Sequence, residues 1–171
     1  MQATARAVAE LDALRGFAVV AEERNYARPE ILDPEGEEFQ VLDYTAMAVP
    51  VPHLVTAAGY QVSSGDVKLF YTGDTGVGVV DVLKRVSPNV LLSEVTFGNE
   101  NKARALEVGH LTPSLLQQAL EDFRAELGYL PTVIASPIMP FWEAAVRPEL
   151  EAVSRQLGIE IIVAEAGMTK Q

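Results

Sequence analysis

From Val67 onward, short apolar runs alternate with stretches of helical periodicity, and this alternation restricts the fold more than any other feature of the chain. Val67–Tyr71, Val90–Ser93, 132–136 and 160–164 read as strands, and 79–85, 112–127 and 141–157 carry apolar residues at helical spacing. A succession of strand, helix and strand builds a sheet covered by helices, an α/β fold. Ahead of it, 39–51 and 58–62 read as further strands, with Ser63-Ser64-Gly65-Asp66 as a turn. Residues 3–15 read as an amphipathic helix ended by Gly16, and 17–21 as a short strand. The charged stretch 22–38 holds Pro29, Pro34 and Gly36 and reads as a solvated loop or β-ribbon excursion, with a lid or dimer arm as the other reading. No repeat or low-complexity tract interrupts the 171 residues, and at roughly 150 residues per domain a single domain over 1–171 is expected.

Composition narrows the chemistry. The chain has no cysteine and 2 histidines, His53 and His110, which excludes a disulfide framework, a zinc finger, an iron–sulfur cluster and a thiol nucleophile. Metal or acid–base chemistry must come from carboxylates and these two imidazoles. With 24 acidic against 13 basic residues the net charge is −11, which argues against nonspecific binding of nucleic acid. The apolar runs fall far short of the roughly 20 residues that span a bilayer. Residues 1–14 carry Arg6, Glu10 and Asp12 and lack the unbroken apolar centre of a signal peptide, so a cytoplasmic protein is expected.

The chemistry-bearing candidates follow strands. In Tyr71-Thr72-Gly73-Asp74-Thr75-Gly76, a strand runs into a glycine-flanked aspartate at its carboxyl end, where α/β proteins place their sites. The same aspartate also suits a plain turn, and Gly73, Gly76 and Gly78 could form a phosphate cradle, although their spacing is not G-x-G-x-x-G. His53 lies in Val49-Pro50-Val51-Pro52-His53, where two prolines require a sheet edge or strand exit. His110 follows Gly109 and precedes Thr112 and Pro113, a cap and first residue of a helix, so it is either an anion-holding group or a loop histidine. Glu94 ends the Val90–Ser93 strand, where a buried carboxylate needs partners whether its role is structural or functional.

Taken together, Val51-Pro52-His53 with Gly59-Tyr60, then Tyr71 to Gly76 as quoted, then Ser93-Glu94-Val95-Thr96-Phe97, then Gly109-His110-Leu111-Thr112-Pro113 resemble the C-terminal half of the metallo-β-lactamase superfamily. The nearest branch is the ribonuclease Z, arylsulfatase and cyclic-nucleotide phosphodiesterase group. The resemblance implies an αββα sandwich, here a truncated or half version, holding two zinc ions that activate a water against a phosphodiester or related ester. It implies that His53 ligates one metal and Asp74 bridges both. His110 and Glu94 then act beside the metals as substrate-side or proton-relay groups, the imidazole oriented by the carboxylate.

The departures from the family pattern are as informative. The H-x-H-x-D-H motif is absent, and Ser136 or Pro137 stands where the family's last histidine ligand falls. His53 and Asp74 remain as ligands, fewer than the three a catalytic zinc keeps, so a working dinuclear hydrolase is not expected from the isolated chain. Only 20 residues separate His53 from Asp74, too few for a tRNA-gripping arm, which favours a small or lipophilic ester over tRNA. Residues 164–168, Ala-Glu-Ala-Gly-Met, resemble the end of generic hydrolases of the family. Three readings follow: a hydrolase half that needs a complementary N-terminal half, a metal-free binding or oligomerisation module, and a nucleotide-binding domain using 73–78. Half a sandwich leaves a sheet face to cover, so a homodimer or a complementary half burying more than about 1,000 Å² is expected.

Overall fold

Alternating side chains dictate the sheet. In the computed structural model, which describes residues 36–136, 141–165, 167 and 168, seven strands lie side by side in sequence order. These are β1 (Glu38–Val41), β2 (Tyr44–Val51), β3 (Ala57–Ser64), β4 (Val67–Tyr71), β5 (Val90–Ser93), β6 (Thr132–Ala135) and β7 (Ile161–Val163). The first four pair antiparallel as a meander and the last four pair parallel. The change of sense falls at β4, from which every return to the sheet passes through a helix, as parallel pairing requires. The chain divides into two units, Met1–Asp33 and Pro34–Gln171, and every described residue lies in the second. The expectations for 3–15, 17–21 and most of 22–38 lie outside the described residues.

Four helices complete the unit: α1 (Val79–Val86), α2 (Lys102–Val108), α3 (Pro113–Leu127) and α4 (Glu143–Leu157). Their buried positions repeat at helical spacing: Val79, Val82, Leu83 and Val86 on α1, Leu116, Ala119, Leu120 and Phe123 on α3, and Val146, Leu150, Val153 and Leu157 on α4. They pack with Phe70, Leu91 and Val133, which stand abreast on β4, β5 and β6 and are fully buried. Their neighbours on the other face, Leu69, Leu92 and Ile134, are half-buried and stand outside this core. The described residues thus form one sheet layer and its helices, half of the four-layer sandwich. None of their helices is long and apolar enough to cross a membrane.

Most sequence expectations coincide with these elements, and the differences have local causes. Residues 39–51 form a hairpin rather than one strand: Val41 pairs with Tyr44, and Leu42 takes the left-handed conformation at φ 55°. Leucine rarely adopts it, so no turn signal marks the site. Glu38, expected to end the charged loop, begins β1. Helix α2 was not anticipated, although Lys-Ala-Arg-Ala-Leu-Glu before Gly109 is a run of strong helix formers. Thr112 caps α3 as expected, its hydroxyl accepting from the Leu115 N–H at 3.3 Å with Pro113 at the first helical position. Replacing Thr112 with alanine is expected to cost about 1 kcal/mol in urea unfolding, because that N–H then loses its partner in a partly buried setting.

Candidate metal centre

Three strand exits converge. Pro50 is tolerated in β2 because β1 spans only the first half of that strand, and His53 follows two residues beyond its end. Asp74 stands on the loop that leaves β4, and Glu94 directly follows β5. His110 occupies the short link between α2 and α3. One ligand atom from each of His53, Asp74 and His110 lies within 4.8 Å of the other two, the one such group among the described residues. Asp74 is exposed and both histidines are half-buried.

Glycines let these loops approach to backbone contact. Gly76 N–H donates to the Pro52 carbonyl at 2.7 Å, and the Thr75 hydroxyl donates to the same oxygen at 3.3 Å. A Cβ on Gly76 would lie 2.9 Å from the Gly109 carbonyl carbon and oxygen. A Cβ on Gly109 would lie 2.7 Å from the Leu54 nitrogen and 3.1 Å from His53 Nδ1, and its φ of 77° also favours glycine. The glycines of loop 73–78 therefore have a packing role. The N–H groups of Thr75 and Gly76 are committed to Glu94 and Pro52, which removes two donors from any phosphate cradle.

Glu94 is fully buried and acts as the hub. Oε1 accepts from His110 Nδ1 at 2.9 Å, from the Leu111 N–H at 3.0 Å and from the Thr75 N–H at 3.4 Å. Oε2 accepts from the Thr96 N–H at 2.8 Å and the Thr96 hydroxyl at 2.7 Å. Burial pushes this carboxyl above the ordinary carboxylate range, while the donors from Thr96, His110 and Leu111 pull it back. With its oxygens occupied by these donors, Glu94 holds the ring of His110 in place. Sequence patterns give Thr96 a place in this motif but no role. The signal was its position two residues past a strand-ending glutamate, where its hydroxyl can reach back to the carboxylate.

These bonds also select the imidazole tautomers. His53 Nδ1 lies 2.7 Å from the Gly109 carbonyl oxygen, which can only accept, so Nδ1 carries the proton. His110 Nδ1 donates to Glu94 in the same way. Each ring therefore keeps its Nε2 lone pair for a ligand, the arrangement in which a second partner orients a metal-binding histidine. The two rings meet edge-to-face with centroids 4.8 Å apart, and Phe97 flanks His110 at 5.9 Å. Ser136, at the expected position of the family's last ligand, follows β6, and its N–H donates to the Ser93 carbonyl at 2.8 Å. Pro137 lies outside the described residues.

A cleft of about 260 Å³ opens beside His53, with Pro52, Leu54, Val77 and Leu106 as apolar walls and Glu107 at its edge. Leu54, Val77 and Leu106 are 70%, 60% and 50% exposed, a local excess of apolar surface around a polar centre. A larger cleft of about 450 Å³, lined by Met47, Val49, Pro50, Arg85 and Val86 among others, holds no imidazole or carboxylate.

Comparison with known proteins agrees with this fold. Residues 1–130 match the beta-lactamase superfamily domain. The metallo-beta-lactamase fold protein YhfI from Bacillus subtilis superposes with a TM-score of 0.66 at 15% identity, covering 82% of this chain and 53% of that one. Zn(2+)-bound PqqB from Methylobacterium extorquens gives 0.57 at 14% identity over 80% and 54% of the two chains. The short form of human tRNase Z gives 0.53 at 18% identity over 76% and 44%. The chain spans about half the length of these structures. No curated protein matches it in sequence. With the domain match covering most of its length and this fold beneath the convergent histidines, the chain belongs to the metallo-β-lactamase superfamily.

Proposed function

We propose that this chain carries the metal-binding, water-activating part of a hydrolase acting on a phosphodiester or related small ester. The observation that carries the reading is the convergence of His53, Asp74 and His110 to within 4.8 Å, with both imidazoles oriented through Nδ1. Imidazole nitrogen with carboxylate oxygen is the donor set that zinc takes, and His53 and Asp74, with His110 within 4.8 Å of both, are the residues that would hold it in this reading. A divalent ion held there supplies Lewis acidity and an activated water.

The chain's own residues supply the rest. Glu94 fixes the ring of His110, and the Gly109 carbonyl fixes that of His53, so neither has to be ordered when a ligand arrives. Pro52, Leu54, Val77 and Leu106 wall the adjoining cleft, which suits a compact, lipophilic substituent better than a polyanion. The net charge of −11 opposes nucleic acid in the same sense.

The test is zinc content together with hydrolysis of bis(p-nitrophenyl) phosphate and p-nitrophenyl butyrate by the full chain. Zinc is expected to be retained, hydrolysis to stop with a chelator, and Asp74→Asn to lose both, because an amide oxygen is a weaker ligand than a carboxylate. Protein that retains no zinc, or hydrolysis unchanged by chelation and by Asp74→Asn, would overturn the reading.

A further inference from the structure

We infer that this chain holds one metal ion rather than the family's pair, and that His110 is the third protein ligand of that ion. The inference rests on the reading above that the cluster binds metal. It goes further in assigning His110 to the metal itself, not to a proton relay beside it.

The ligand inventory is the first argument. The chain has 2 histidines and no cysteine, and both histidines stand in this one cluster. A second zinc ion would find no imidazole or thiolate left in this chain. Among the described residues no second group of ligating side chains exists. The dinuclear arrangement therefore does not fit these residues, whereas a single centre does: three protein ligands with an open position is the pattern of catalytic zinc sites.

Geometry is the second argument. Zinc bonds of about 2.0–2.1 Å to nitrogen and oxygen place tetrahedral ligand atoms about 3.4 Å apart. The observed limit of 4.8 Å is within reach of that spacing through rotation of Asp74, which is exposed on its loop and free of the bonds that hold the histidines. Both imidazoles are held through Nδ1, by the Gly109 carbonyl and by Glu94, so Asp74 is the ligand left to adjust. Both histidines carry the same device, a protonated Nδ1 on a fixed acceptor, and the symmetry treats them as equivalent ligands.

The experiment is a titration of the metal-free full chain with Co²⁺, followed by visible absorption and by native mass spectrometry. The expected result is saturation at one ion per chain with the d–d bands of a four-coordinate site. His53→Ala, Asp74→Ala and His110→Ala are each expected to weaken Co²⁺ by more than about 100-fold, whereas losing a group that only orients a ligand costs about 10–100-fold. Circular dichroism verifies that each variant is folded, and free imidazole is expected to restore the bands in His110→Gly. Should His110→Ala not fold, His110→Gln, which can still donate to Glu94, takes its place with the same expected loss. Two ions per chain, or His110 variants that lose no more than about 100-fold in affinity, would overturn this inference and leave the hydrolase reading intact. No Co²⁺ or Zn²⁺ binding by the parent chain would overturn both.

Discussion

Glu94→Ala is expected to destabilise the protein by about 3–5 kcal/mol and to abolish metal retention. The substitution strips the acceptor from the buried N–H groups of Thr96 and Leu111, the longer contact to Thr75, and His110 Nδ1. Each buried donor left without a partner costs about 1–3 kcal/mol, partly offset because the buried charge is also removed. Glu94→Gln should be milder. Its carbonyl oxygen can replace Oε1, but its amide then meets the Thr96 N–H donor-to-donor. Urea unfolding with the order parent, glutamine, alanine is the expected outcome. An alanine variant within about 1 kcal/mol of the parent would show that Glu94 is not the hub of the centre.

Gly76→Val is expected to cost about 3 kcal/mol and to separate the histidines. A Cβ at this position would lie 2.9 Å from Gly109 backbone atoms, and Gly109 cannot withdraw, because it abuts the Leu54 nitrogen and its carbonyl holds His53. Overpacking of this kind cannot relax by rotation of a side chain. Gly128→Ala is the control: its φ of 79° is strained for alanine but nothing lies within 4 Å, so about 1 kcal/mol is expected from backbone strain alone. Thermal melts that leave Gly76→Val no lower than Gly128→Ala would refute the close-packed arrangement. Loss of nucleotide binding on Gly76→Val would not by itself identify a phosphate loop, since the same change damages the packing under either reading.

Much of the fold could be read from the chain. Val67–Tyr71 and Val90–Ser93 are legible to the residue because each is a short, largely apolar run bounded by polar residues. Helix α3 announced its start through Thr112 and Pro113. The hairpin at Leu42-Asp43 gave no such notice, because a leucine was placed in a conformation that sequence preferences assign to glycine or asparagine. Helix α2 was hidden by its brevity and by its single buried residue, Ala105, which leaves no apolar stripe to detect.

The sequence by itself determined the α/β class, the family and the upper limit on the chemistry, because 2 histidines and no cysteine restrict the available ligands wherever the chain takes them. It also located His53, Asp74, Glu94 and His110 at loops, since prolines, glycines and caps act within a few residues of themselves. Tertiary structure alone decided that three of these residues meet and that the fourth is buried beneath them. Their distances depend on the register of β4 and β5 and on the backbone contact between Gly76 and Gly109. Those contacts join segments distant in sequence, and their energies exist only after the sheet has formed. Local preference can therefore name the participants, but only packing brings His110 onto the buried carboxylate of Glu94 and beside His53 and Asp74.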